Sequence, residues 1–350
     1  MNQPPDLNDR EAQVLHAVVH SYITTAEPVG SRSLVKRFGM TWSPATVRNV
    51  MADLEEMGYL EQLHTSSGRI PTTKGYRYYV DHLMHVQELT LREREMIEHD
   101  LTQRLNDADD VLRHTSHLLA LITHQAGFAE APNGGRATVK RLDFLPISAE
   151  RLAVLIVDNY GRVHTLTVYL DQPISAADLG PLSQFLNEHL EGISIDQLAA
   201  RVEQKMRSFW DEQRRLAELA LAVLNHVPKQ RPNQLFLDGT SQLFQQPEFK
   251  DFEKARDMFG LFEEQDRIVD MMRRAALDLE AEKQNILIGR EQLPRGLEDI
   301  SLVASPYKVD GQTVGLIGIL GPRRMPYNKL TAIVDYTAHM VSRVLTRLSS

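Results

Sequence analysis

The sequence predicts an α+β protein, and three observations carry that expectation. A helix, a turn, a second short helix and a hairpin follow one another near the amino end, the order of a winged helix-turn-helix. Strand-rich stretches occur at residues 138–170 and again at 300–320. A long helical section separates them, which points to one antiparallel sheet interrupted by an insertion. The chain has 350 residues, enough for two or three domains, and no cysteine. Disulfide, zinc-thiolate and thiol-nucleophile chemistry are therefore excluded.

Taken in order, residues 8–24 read as the first helix. Asn8 and Glu11 have capping-box spacing, and Val14, Leu15, Val18, Val19 and Tyr22 form an apolar face. Glu27, Pro28, Val29 and Gly30 break it, and Ser31 is the expected cap of a second helix reaching Phe38. That helix turns Leu34, Val35 and Phe38 inward and Arg32, Lys36 and Arg37 outward. Residues 39–42 make the turn. The third helix, 43–58, is the best marked: Ser43 at the N-cap, Pro44 at the first helical position, Gly58 at the stop. Val47, Val50, Met51, Leu54 and Met57 share one face, leaving Thr46, Arg48, Asn49 and Asp53 on others. A short helix with a buried stripe and a cationic start is shaped to enter the major groove of DNA. Residues 59–63 and 69–70 then read as a hairpin across 64–68, with Pro71 at its end, and 73–80 as a further helix.

The chain carries a net charge of −8, the reverse of an indiscriminate nucleic-acid binder. Between residues 29 and 80, however, seven basic residues face four acidic ones, and local concentration decides binding more than the total. Arg48 and Asn49 are the candidate base contacts, because arginine matches guanine O6/N7 and asparagine matches adenine N6/N7 bidentately. Ser43 and Thr46 are candidate phosphate ligands at the helix N-terminus. Arg32, Lys36 and Arg37 are candidate phosphate contacts, and Arg69, beside the flexible Gly68, would reach a phosphate or the minor groove. The plainer alternatives are a solvated helix face, a simple cap at Ser43 and a solvated charge cluster. Trp42, Tyr76, Tyr78 and Tyr79 read as packing residues.

The remaining chain gives a mostly helical stretch at 88–122 with a break near 106–110, and a loop at 131–135. Strands are expected at 138–146, 152–158 and 162–170, and helices at 176–190 and 194–227, the latter opened by a Ser194/Gln197 box. A break at 228–232, a short strand at 235–237, helices within 242–281 and a strand at 285–289 come next. A hairpin over 301–305 and 313–320 and a final helix over 327–348 complete it.

Several linked motifs resemble the HrcA family, the bacterial heat-inducible repressors of chaperone operons. They are Glu27-Pro28-Val29-Gly30-Ser31-Arg32, Ser43-Pro44-Ala45-Thr46-Val47-Arg48-Asn49 and Leu54-Glu55-Glu56-Met57-Gly58-Tyr59-Leu60. Ser67-Gly68-Arg69-Ile70-Pro71-Thr72 leading to Lys74-Gly75-Tyr76-Arg77 belongs with them, as does Gly315-Leu316-Ile317-Gly318-Ile319-Leu320-Gly321-Pro322 with Arg324, Met325 and Tyr327. The resemblance implies a winged-helix domain at 1–88, a GAF-like domain at 89–203 and 297–350, and an inserted dimerisation domain at 204–296. It further implies a cytoplasmic homodimer on double-stranded DNA. Such a dimer blocks the groE and dnaK operons through the CIRCE inverted repeat and depends on the GroE chaperonin for its active form.

Two competitors remain at this level. One is a winged-helix regulator whose GAF-like domain senses a small molecule. The other is an enzyme with an appended winged helix, which needs a catalytic cluster the sequence does not display. His16/His20, His82/His85 and His114/His117 have helical spacing but no third metal ligand nearby and no zinc-protease glutamate. Gly315, Gly318 and Gly321 make no dinucleotide or phosphate-loop fingerprint and read as close-packing positions. No catalytic residue, metal or cofactor is expected, and no apolar run is long enough to span a membrane.

Overall fold

The computed structural model describes residues 7–62, 68–102, 107–132, 137–148, 150–170, 173–190, 192–194, 197–205, 211–225, 234–243, 245–249, 260, 268–269, 286–289 and 298–349. Residues 64–67 of the expected turn, the break at 228–232 and most of the helices expected within 242–281 lie outside them.

An amino-terminal module comes first. Helix α1 (Asp9–Thr25) starts with the expected reciprocal box: Asn8 Oδ1 accepts from the Arg10 and Glu11 N–H groups, and the Glu11 carboxylate accepts from the Asn8 N–H at 2.9 Å. Helix α2 (Ser31–Phe38) departs from expectation. Gly30, not Ser31, is the N-cap; it has no side chain to cap with, and Ser31 is the buried first helical residue. Ser33 instead donates to the Gly30 carbonyl at 2.7 Å. Helix α3 (Pro44–Glu56) follows, then strands β1 (Leu60–Gln62) and β2 (Arg69–Pro71), paired antiparallel. Val29 and Arg69 exchange both backbone hydrogen bonds at 2.9 Å, which ties the start of α2 to the hairpin. Gly68 is fixed by that closeness rather than by flexibility, since a Cβ there would lie 2.5 Å from the Val29 carbonyl. Helix α4 (Thr73–Tyr78) runs on into one π-helical turn, Tyr79–Leu83. Leu15, Val18, Leu34, Val47, Leu54, Tyr59, Tyr76 and Tyr79 meet in one core, so the tyrosines pack as expected.

Helices α5 (Leu91–Thr102) and α6 (Ala108–Thr123) lead to strand β3 (Ala126–Glu130), which the sequence reading missed. Ala-Gly-Phe-Ala-Glu contains no β-branched residue and is buried at every position, so it shows neither strand propensity nor alternation. After it come β4 (Val139–Ser148), β5 (Arg151–Asp158) and β6 (Val163–Tyr169), then α7 (Ala176–Leu190), α8 (Leu198–Lys205) and α9 (Asp211–Leu224). Ser194 bridges Thr138, the Gln197 N–H donates to the Ser194 carbonyl at 2.9 Å, and α8 begins at Leu198. Strand β7 (Leu235–Asp238), α10 (Thr240–Leu243), β8 (Ile286–Ile288), the hairpin β9 (Ile300–Val309) and β10 (Gln312–Pro322), and α11 (Tyr327–Ser349) complete the described elements.

The strands form two larger sheets, not one interrupted sheet. β7-β3-β10-β9-β8 is a five-stranded antiparallel sheet, and β4-β5-β6 is a separate three-stranded one. β7 and β8 fall inside the 204–296 window expected to be an insertion, yet both pair with the sheet of residues 300–322. The chain leaves this sheet after β3 and returns at the adjacent β7, so the excursion lies between residues 130 and 235 and carries the three-stranded sheet. Helices α6 and α11 cover one face of the five-stranded sheet; Leu243, Phe249, Ile268 and Val269 lie in the cluster with Phe128, Leu302 and Leu316 on the other. Gly318 permits the tight central packing, because a Cβ there would sit 2.1 Å from the Val303 carbonyl oxygen and 2.7 Å from the Phe128 ring.

Candidate nucleic-acid interface

The start of α3 is held by its own sequence. Ser43 Oγ accepts the Thr46 N–H at 3.1 Å, and the two hydroxyls lie 2.9 Å apart. Pro44 occupies the position where a missing donor costs nothing. At the other end, Gly58 adopts φ +78, and the Tyr59 N–H reaches back to the Leu54 carbonyl at 2.9 Å, closing the helix in a Schellman-like turn. Lys74 Nζ adds a charged cap by donating to the Met57 carbonyl at 2.8 Å, while lying 4.3 Å from the centre of the Tyr59 ring.

Between those ends, Val47, Val50, Met51 and Leu54 are buried, as the apolar spacing predicts. Arg48 and Asn49 are both exposed and consecutive, and their side chains make no hydrogen bond or ion pair with a described residue. On α2, which packs against α3, Arg32, Lys36 and Arg37 are exposed. Arg37 is partly committed, its guanidinium donating to Ser21 Oγ of α1 at 3.1 Å. Arg32 and Lys36 remain open toward solvent.

Arg69 sits differently from expectation. Its side chain is only 17% exposed, and its Nε and guanidinium nitrogens bind Glu55 at 2.8 and 2.6 Å. This residue clamps the hairpin to α3. Together with Lys74 and with Arg77, which pairs with Asp81 at 2.6 Å, it removes three basic side chains from the outward charge. Glu55 and Lys74 were not singled out from sequence. Neither carries a local signal, since Lys74 lies seventeen residues beyond the carbonyl it caps and Glu55 fourteen residues from its arginine.

Members of two of the histidine pairs pack on aromatic rings, while His117 bonds Asp238 and His164 bonds Asp158, each at 2.8 Å. His16 lies beside His20 and Tyr79, with ring centroids 6.2 and 5.6 Å away, and His82 packs on Tyr78 at 4.6 Å. Among the described residues, no three His, Cys, Asp or Glu side chains are placed to hold a metal ion. Likewise, no helix among them is long and apolar enough to cross a membrane.

What these elements define is an α+β protein with a five-stranded and a three-stranded antiparallel sheet and an amino-terminal module of helices and one hairpin, whose third helix offers adjacent, unengaged arginine and asparagine side chains. The chain belongs to the HrcA family: the model of the HrcA protein C terminal domain matches residues 109–331. A protein of Geobacter sulfurreducens named heat-inducible transcription repressor HrcA is 39% identical over 97% of this chain and 98% of its own length. Proteins of the same name from Syntrophobacter fumaroxidans and Halalkalibacterium halodurans are 38% and 35% identical over 97% and 98% of this chain, and 98% of each of those proteins. A crystal structure described as that of a hypothetical protein matches with a TM-score of 0.65 at 23% identity, covering 98% of this chain and 100% of that one. The last match establishes a shared fold.

Proposed function

We propose that this protein represses transcription by binding double-stranded DNA as a homodimer, with its amino-terminal module acting as a winged helix. The observation that carries the reading is the open Arg48–Asn49 pair on a helix whose opposite face is buried. Its residue types match the bidentate base contacts of the major groove. Arg32, Lys36 and Arg37 supply phosphate contacts from α2, and Ser43 and Thr46 bring the α3 N-terminus to the backbone. Arg69 acts in this reading as the hairpin's anchor, not as a DNA contact.

The family names support negative control of heat-inducible genes. Under the same proposal, the operator is the CIRCE inverted repeat ahead of the groE and dnaK operons, and the active form depends on the GroE chaperonin. Titration of the chaperonin by misfolded proteins then releases the operons. The five-stranded sheet with α6 and α11 acts as the GAF-like domain. The excursion carrying the three-stranded sheet acts as the dimerisation unit, replacing the 204–296 assignment. A twofold dimer suits an inverted repeat because each recognition helix meets an identical half-site.

A mobility-shift comparison of an intact inverted repeat with a scrambled one tests the reading. Tight binding to the intact repeat alone is expected; equal binding to both would overturn it.

A further inference from the structure

Three arginines bind the amino-terminal module to the five-stranded sheet, and they do so from both sides of the junction. Arg324, in the loop between β10 and α11, donates from one guanidinium nitrogen to the Ile23 carbonyl in the last turn of α1, at 2.9 Å. Its Nε and other terminal nitrogen hold Glu248 in a two-point pair at 2.7 and 3.4 Å, and the latter nitrogen also reaches Gln246 at 3.3 Å. The neighbouring Arg323 binds Asp299 at 2.8 Å and the Thr73 hydroxyl, at the first turn of α4, at 3.1 Å. From the opposite direction, Arg77 of α4 donates to the Ile286 carbonyl of β8 at 2.7 Å. Tyr327 backs the loop by donating to the Arg323 carbonyl at 2.6 Å, and its ring meets the Tyr76 ring edge-on with centroids 6.2 Å apart.

The Arg324–Glu248 pair is mostly shielded from solvent, with side-chain exposures of 14% and 21%. A guanidinium can serve a helix-end carbonyl and a carboxylate together because its donors form a fixed planar fork; an ammonium cannot reproduce that geometry. Neither α1 nor α4 is the reading helix, yet α1 packs directly on α3. A grip on α1 therefore fixes the direction of α3 relative to the sheet.

We propose that Arg324 is a positioning residue for operator reading, setting the angle at which each recognition helix is presented and hence the half-site spacing that the protein accepts. The inference rests on the proposed function. It adds to that reading a determinant far from the DNA-facing surface: residues 246–248, at the sheet end of the clasp, become a place where a change in the sheet domain alters DNA binding. With the clasp closed, the second half-site is met at an effective concentration set by a rigid geometry. With it open, that advantage spreads over many spacings.

The test uses the full-length protein and a series of inverted repeats whose spacer is lengthened and shortened base pair by base pair, alongside a single half-site. The parent is expected to show a sharp spacing optimum. Arg324→Ala should lose affinity at that optimum by part of the roughly 10²-fold or more that linking two sites supplies. Its spacing profile should flatten while half-site affinity is unchanged. Arg324→Lys, which keeps the charge without the fork, should flatten the profile similarly, and covers the case in which the alanine variant does not fold. A sharp, unshifted optimum in a folded Arg324→Lys protein would overturn the positioning role alone. A parent with no preference for an inverted repeat would overturn the proposed function and this inference together.

Discussion

Arg48 and Asn49 are the unengaged outward side chains that lie on α3 itself, whereas the equally open Arg32 and Lys36 lie on α2. Arg48→Ala or Asn49→Ala should each remove about 1–3 kcal/mol of discrimination between cognate and altered base pairs. Lys36→Ala should weaken all sequences alike and reduce the slope of log affinity against log salt by about one. Mobility shifts over a salt series separate the two outcomes; operator discrimination unaffected by both α3 substitutions would remove them from the reading surface. These two residues were legible in sequence because everything that positions them is local. The Ser43 cap, Pro44, the three- and four-residue apolar spacing and Gly58 all lie within one helix. Arg69 was not legible, since its role depends on Glu55, brought to it by folding of the hairpin against α3. The same holds for Arg324, whose partners Ile23 and Glu248 are 301 and 76 residues away.

At the scale of elements, α1 carries a built-in response to acid. His16 is held below its ordinary value of 6.5, first by burial and then by the neighbouring His20 and His85 imidazoles. The unfolded chain takes up a proton as pH falls below 6.5, whereas folded His16 does so only at lower pH. Stability of the module is thus fully present above 6.5 and declines through that value toward the folded one. Thermal melts from about pH 8 to about pH 6 should show a falling midpoint, and His16→Gln should flatten that dependence. An unchanged slope in the variant would place the titration elsewhere. The helices and hairpins of this region were readable because caps and turn glycines mark their limits. The larger sheet was not. Its partner strand β3 lacks a propensity signal, and it pairs with β10 across 190 residues at Phe128/Gly318 and with β7 across 109 at Phe128/Leu237. Strand-rich stretches could be recognised singly, but the sequence held no register to show that 139–169 and 300–322 belong to different sheets.

At the scale of the molecule, the question is what lets one reading helix become two. The three-stranded sheet buries Leu142, Phe144, Leu152, Val154 and Ile156 beneath α7 and neighbouring helices. Its other face sets Leu145, Ile147, Val163 and Tyr169, each at least 50% exposed, and half-buried Leu155 and Val157 beside Asp143, Arg151, Thr165 and Thr167. Four large apolar side chains exposed on one sheet face suit a self-complementary interface about a twofold axis, with the polar residues among them able to pair across it. The proposed homodimer is expected to bury this face. Ile147→Lys with Tyr169→Glu places charges where the proposed dimer excludes water, at a cost the interface cannot offset. Within one protomer the same changes fall on open surface and should alter stability by no more than about 0.5 kcal/mol. Sedimentation velocity should then show monomers with an unchanged melting profile. Binding to an inverted repeat should fall to the level of a single half-site, while half-site affinity stays at the parent value. A double variant that still sediments as a dimer would assign self-association to another surface, and the excursion between β3 and β7 would lose its proposed role.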